Sequence, residues 1–267
     1  MNLCFCPNRM PGLPTVAITG AAGLIGTILS DAFEDEMRLR RFDVQPEPGC
    51  ERLDVRDLAA VERAFAGVDA VIHLGALATE APFEAILDTN VRGTHNVFEA
   101  ARRCGVGRVV FASSNHVTGM YPRSQRIGPS APIRPDTFYG VSKAFGEALG
   151  SLYAEKWNLS TVCIRIGSMR DTPADRRQLA TWLSPRDGVA LFRASLRAKV
   201  RFAIVYGVSA NRHAWWDMSA ATALGYQPVD DAEAFAGEVP DDPSQHLGLQ
   251  GGIYSAADFA GEDKSRR

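Results

Sequence analysis

Three residues of this chain have the types and spacing to move a proton and a hydride: Ser114, Tyr139 and Lys143. Tyrosine is a weak base with an ordinary pKa near ~10, so proton abstraction at neutral pH needs a nearby cation and donors that favour the phenolate. In Tyr139-Gly140-Val141-Ser142-Lys143 the two reactive side chains fall one helical turn apart on a common face. The ammonium can then favour the phenolate and also reach a ribose hydroxyl of a nicotinamide cofactor. Ser114, in Phe111-Ala112-Ser113-Ser114-Asn115-His116, can donate to a substrate oxygen as it loses its proton. Tyr-x-x-x-Lys also occurs in ordinary surface helices, so its meaning depends on its surroundings.

Upstream lies the turn Gly20-Ala21-Ala22-Gly23-Leu24-Ile25-Gly26, directly after the apolar run Val16-Ala17-Ile18-Thr19. Glycines at Gly20, Gly23 and Gly26 let the backbone approach a pyrophosphate and point free helix-start amides at its charge. Asp43 stands where a second strand ends, placed to accept from both adenosine-ribose hydroxyls, which favours NAD. Arg40 and Arg41 beside it keep NADP as the alternative, and a solvated loop carboxylate is the plain reading of Asp43. Asp54 and Val55, at the end of a short third strand, could edge the adenine.

The elements needed to position these residues are legible as short apolar runs alternating with helical periods. Strands are expected over 15–19, 39–44, 51–54, 70–74, 108–113, 160–166 and 201–206. Helices are expected from the glycine turn to about 36, and over 58–65, 89–103 and 139–157. Short helical or irregular pieces are expected between the last two strands. Alternation of this kind predicts an α/β fold, a Rossmann-type doubly wound parallel sheet with a small C-terminal substrate cap. The expected organisation is a flexible N-terminal tail over 1–14 and a single domain over 15–267, with cap elements mainly in 167–200 and 207–260.

A chain of 267 residues that is 46% hydrophobic can bury one large core. Its 29 basic and 31 acidic residues leave a net charge of −2, which makes no electrostatic case for nucleic acid or an anionic membrane as partner. No run approaches the roughly 20 apolar residues needed to span a bilayer. Prolines and polar residues interrupt the first 14 positions, unlike a secretion signal. The five cysteines have no metal-ligand spacing. Cys4 and Cys6 read as an ordinary tail pair, and no metal is expected. The chain reads as cytoplasmic, with a small molecule as ligand.

Together the glycine turn, the Ser113-Ser114 run and Tyr139 with Lys143 resemble the extended short-chain dehydrogenase/reductase family over roughly 15–226. More narrowly, the run Phe111-Ala112-Ser113-Ser114-Asn115-His116 together with Arg165-Ile166-Gly167-Ser168, Thr181-Trp182-Leu183-Ser184, and Gly207-Val208-Ser209-Ala210-Asn211 with Trp215-Trp216-Asp217 resembles uronate dehydrogenase. That family oxidises C1 of cyclic D-glucuronate or D-galacturonate with NAD and yields an aldarolactone. The resemblance implies that Tyr139 is the base, Lys143 its activator and ribose ligand, and Ser114 the partner at the reacting hydroxyl. It implies cofactor contacts from Leu24, Ile25, Asp43, Asp54, Val55, Leu74, Gly75, Ala76, Asn90 and Ile166. It also implies sugar contacts from Asn115 and His116, a carboxylate site at Ser168 and Arg177, and a homo-oligomer.

The sequence departs from the family where a serine commonly follows the fourth strand, since Ala78 stands there with Thr79 beside it. One sugar hydrogen bond, worth about 1 kcal/mol, is thereby in question. Tyr254 matches the family's late aromatic only loosely. His116 has a structural alternative as a loop stabiliser, Arg177 competes with Arg176, and Trp215-Trp216 reads as packing rather than a sugar platform. Two other functions remain open at this point: a nucleotide-sugar epimerase or dehydratase, and a non-catalytic dinucleotide-sensing protein.

Overall fold

The computed structural model describes residues 12–45 and 47–259. Most of the expected N-terminal tail, with Cys4 and Cys6, lies outside them. Seven parallel strands form the central sheet in the order β3-β2-β1-β4-β5-β6-β9. They are β1 Thr15–Thr19, β2 Arg38–Asp43, β3 Glu51–Arg52, β4 Ala70–His73, β5 Arg108–Ser114, β6 Ser160–Ile166 and, last in the chain, β9 Phe202–Gly207. Between β6 and β9 a separate two-stranded sheet pairs β7 Ser168–Met169 with β8 Trp182–Leu183.

The inner strands β1, β4, β5 and β6 are buried on both faces, which is why they read as nearly unbroken apolar runs, whereas β2 and β3 toward one edge are charged and partly or fully exposed. Alternation divides β5 between the faces: Val110 and Ala112 join one core cluster, Val109 and Phe111 the other. On the first face lie α1 Leu24–Phe33 and α7 Pro185–Arg197, through Leu29, Phe33, Leu191, Phe192 and Leu196. On the second face lie α2 Leu58–Phe65, α4 Gly93–Arg103 and α5 Phe138–Trp157, through Val61, Phe65, Phe98, Leu149 and Tyr153. Strand order reverses between β1 and β4, so a crevice opens at their carboxyl ends, the usual ligand position in such sheets.

Local sequence accounts for where the main helices start. Thr137 caps α5 by accepting from the Gly140 amide, and Asn158 ends it in the left-handed region at φ 56°. Ser184 caps α7 in the same way, with Pro185 in the first turn and Asp187 beside it. That helix corrects one expectation, because the stretch 185–197 is the full crossover helix joining β6 to β9 rather than irregular cap material. A second difference precedes α4, where the short helix α3 Phe83–Ile86 and a π-helical segment, Leu87–Arg92, extend the expected helix backwards.

The Trp215-Trp216 pair is packing. Trp216 is fully buried and stacks on Tyr206 with ring centroids 4.9 Å apart. No helix among the described residues is long and apolar enough to cross a membrane.

Candidate active site

One cleft of about 800 Å³ runs across the carboxyl ends of the strands, from Asp43 and Asp54 at one end to Arg177 and Tyr254 at the other. The glycine turn forms its floor. Gly20 has φ +74°, and a Cβ on it would lie 2.7 Å from the Gly75 amide nitrogen, so the turn and the loop after β4 meet backbone to backbone. A Cβ on Gly26 would strike the Gly20 carbonyl at 2.5 Å, which fixes the start of α1 against the turn. Gly23 differs: a Cβ there would meet only the Gly20 oxygen, at 3.4 Å, and otherwise enter open space of the cleft. That is the form of a phosphate cradle.

Asp43, at the end of β2, accepts from the Ala22 amide at 3.2 Å and from the Gln45 amide at 3.1 Å, which pins its carboxylate to the cleft wall. The flanking arginines turn elsewhere. Arg40 donates to the Ala64 carbonyl at 2.7 Å, Arg41 packs against Gly49, and neither lines the cleft. The adenosine end instead gains Arg52 and Arg56, which sequence reasoning did not single out. Arg56 is bound to Asp54 at 2.6 Å and holds that carboxyl below its ordinary range. Val55, Leu24, Ile25, Leu74, Gly75, Ala76 and Ile166 supply apolar or small lining. These features fit a dinucleotide: an open glycine cradle, an anchored carboxylate for ribose hydroxyls, and Lys143 one turn below Tyr139.

Asn90 is placed differently from expectation. It is 1% exposed and absent from the cleft lining, with its amide engaged by the Leu77 backbone and the Ser142 hydroxyl.

Midway along the cleft, Ser114, Tyr139 and Lys143 converge from β5 and α5. The Ser114 hydroxyl lies beside the Tyr139 phenol, and the Lys143 ammonium lies 5.5 Å from the phenol ring centre. Burial dominates both groups. It pushes the Tyr139 phenol up to about 12, only partly opposed by the neighbouring Ser114 hydroxyl, and pulls Lys143 down to about 8. Burial by itself thus favours the neutral phenol, and the phenolate needs opposing charge beside it. Buried His73 behind the site is pulled down to about 3 by burial and by the Lys143 charge, and it bonds Thr19 and Thr94 as a neutral ring.

At the far end His116 bonds Asp136 through Nδ1 at 2.8 Å, lies edge-on to Tyr139 and packs on Tyr254 at 4.1 Å between ring centres. Ala78 lines the cleft without a polar side-chain atom, while the Thr79 hydroxyl beside it bonds the Tyr254 hydroxyl at 3.1 Å. Ser168 shares a hydrogen bond with Thr181. Arg177 lines the cleft, its Nε donating to the Gln250 carbonyl at 2.9 Å. With the Asn115 amide turned to satisfy its neighbours, Asn115 donates to Ile166 and accepts from Arg177 at 3.0 Å. Arg177 forms no ion pair among the described residues, and burial lowers its pKa. Arg176 instead points outward to Asp241 at 2.7 Å.

The profile of the NAD dependent epimerase/dehydratase family matches residues 16–170. The uronate dehydrogenase of Agrobacterium fabrum is 42% identical over 251 residues, covering 89% of this chain and 95% of the relative. The chain belongs to the uronate dehydrogenase family. A solved uronate dehydrogenase from Agrobacterium tumefaciens, a tyrosine-to-alanine mutant complexed with NAD, superposes with a TM-score of 0.88 at 40% identity, over 94% of this chain and 100% of that one. A glucuronic acid dehydrogenase from Chromohalobacter salexigens gives 0.86 at 39% identity, over 92% and 98% of the two chains. Likeness to UDP-galactose 4-epimerase, 0.66 at 21% identity, is one of fold alone. The protein is thus an oxidoreductase of the uronate dehydrogenase family that acts on a CH–OH group with NAD.

Proposed function

We propose that the substrate is a cyclic hexuronate, D-glucuronate or D-galacturonate, oxidised at C1 to an aldarolactone. The carrying observation is Arg177, a buried guanidinium on the cleft wall that forms no ion pair among the described residues. Such a buried cation is costly unless a ligand anion meets it, and a planar fork suits a carboxylate. Ser168 and Asn115 flank that anion site, and the free ring edge of His116 faces the sugar.

In this reading Ser114 and Tyr139 hold the C1 hydroxyl, Tyr139 takes its proton, and departure of the C1 hydride leaves the ester carbonyl of the lactone. Gly20, Gly23, Gly26, Asp43 and Lys143 hold NAD, which supplies a hydride acceptor of positive charge when bound. That charge, with Lys143, opposes the burial that keeps the phenol protonated.

Purified protein given NAD should form NADH with D-glucuronate and D-galacturonate, and far more slowly with D-glucose and D-galactose. Equal rates with the neutral sugars would overturn the reading. A cytoplasmic, homo-oligomeric enzyme belongs to the same proposal, supported by the demand for NAD and by the exposed apolar face of Phe138, Val141 and Leu152 on α5.

A further inference from the structure

Glu80 has no part in the chemistry described above, yet its residue is only 6% exposed and makes no ion pair among the described residues. Its two carboxyl oxygens accept from consecutive backbone amides at the start of α5, Phe138 at 3.2 Å and Tyr139 at 2.8 Å. Those amides have no partner within the helix, and the partial positive charge of a helix start favours an acidic side chain there. Thr137 already caps the helix through Gly140. Glu80 therefore adds an attachment from a distant loop at the residue that carries the phenol.

The same loop is attached to Tyr139 a second time. The Tyr139 carbonyl accepts from the Ser142 hydroxyl at 2.7 Å, and the Ser142 oxygen accepts from the Asn90 amide at 3.1 Å. Asn90 closes the circuit on Leu77, donating to its carbonyl at 3.1 Å and accepting from its amide at 2.8 Å. Both backbone groups of Tyr139 thus lead to the two ends of one short segment, 77–80. Leu77 and Ala78 of that segment line the cleft.

We propose that Glu80 is a positioning residue that fixes Tyr139 against the loop lining the reaction site, so that the phenol and the cleft wall keep one register. The inference rests on Tyr139 being the base. Glutamine at 80 keeps one acceptor but turns an N–H donor toward an amide that is itself a donor. A displacement of the base by a fraction of an ångström to 1 Å is enough to cost on the order of 10- to 100-fold in kcat.

The test is a double-mutant cycle of Glu80→Gln and Tyr139→Phe with D-glucuronate and NAD. Thermal unfolding and NAD binding are measured on each protein. Val61→Ala, a fully buried site outside the cleft, serves as a control for lost stability alone. The expected result is a kcat loss for Glu80→Gln in the parent that largely vanishes in the Tyr139→Phe background, with NAD affinity little changed and Val61→Ala retaining kcat. Equal loss in both backgrounds, or a Glu80→Gln enzyme matching the parent, would overturn the positioning role. If Tyr139→Phe itself kept the parent rate, the base assignment would fall instead, a separate and visible outcome.

Discussion

Replacing Arg177 with methionine isolates the contribution of the substrate's charge. The guanidinium donates to Gln250 and Asn115 and has no ionic partner among the described residues, so its remaining N–H groups are available to an anion. Hydrogen bonds to a charged group contribute about 1.5–3 kcal/mol each. One to two such bonds make a loss of roughly 3 kcal/mol, close to 150-fold at 1.4 kcal/mol per tenfold. Stability should change little, because losing two charge-assisted bonds to carbonyl-type oxygens, about 1.5–3 kcal/mol each, is offset by removing the several-kcal/mol desolvation cost of a buried charge. The assay compares kcat/KM for D-glucuronate and D-glucose in parent and variant, with NAD held saturating. The expected outcome is a loss near two orders of magnitude for the uronate and almost none for the neutral sugar. A parallel loss for both sugars would show that Arg177 shapes the cleft rather than recognising the acid.

Three further outcomes follow from the structure. Gly23→Ala should fold as well as the parent yet bind NAD far more weakly, because its new methyl enters the open cradle. Gly20→Ala should lose stability by at least the roughly 1–2 kcal/mol of a left-handed alanine, plus the clash with Gly75; NAD titration and thermal unfolding separate the two. His73 has a folded pKa of about 3 against an ordinary 6.5, so its contribution is fully present above 6.5 and is lost as pH falls toward 3. Between pH 7 and pH 5 that single group should remove about 2 kcal/mol of stability. Urea unfolding of His73→Asn should show a pH dependence shallower by that amount.

What the residues disclosed in advance depended on how local the cause was. The glycine turn, the fifth strand over 108–113 and the one-turn spacing of Tyr139 and Lys143 are set within a few positions, and they stand in the structure where the pattern implied. Helix α7 was missed although Ser184 and Pro185 carry a legible start, because its apolar residues Leu191, Phe192 and Leu196 were read as cap. Its packing against α1, including Arg193 with Glu36 at 2.6 Å, is a long-range fact. Glu80 gave no sign, since its partners lie on a helix far along the chain. Asn90 was assigned to the cofactor, but its amide is consumed by Leu77 and Ser142. The phenolate expectation weighed the lysine charge but not desolvation, a long-range property that raises the Tyr139 phenol and lowers Lys143. Sequence left Arg177 and Arg176 in competition; in the structure Arg177 lines the cleft while Arg176 pairs with Asp241.

Gln250 is fully buried and ties four segments at once. Its carbonyl takes Arg177, its side-chain oxygen takes the Trp216 indole, and its amide reaches the Pro122 and Gln125 carbonyls. In the proposed reading the acid site therefore hangs from the final stretch of the chain, while the glycine turn lies near its beginning. Removing the polypeptide from Gln250 onward would release Arg177, the Trp216 indole and the 122–125 loop together, so retargeting the oxidation means rebuilding this ending around the same anchor rather than deleting it.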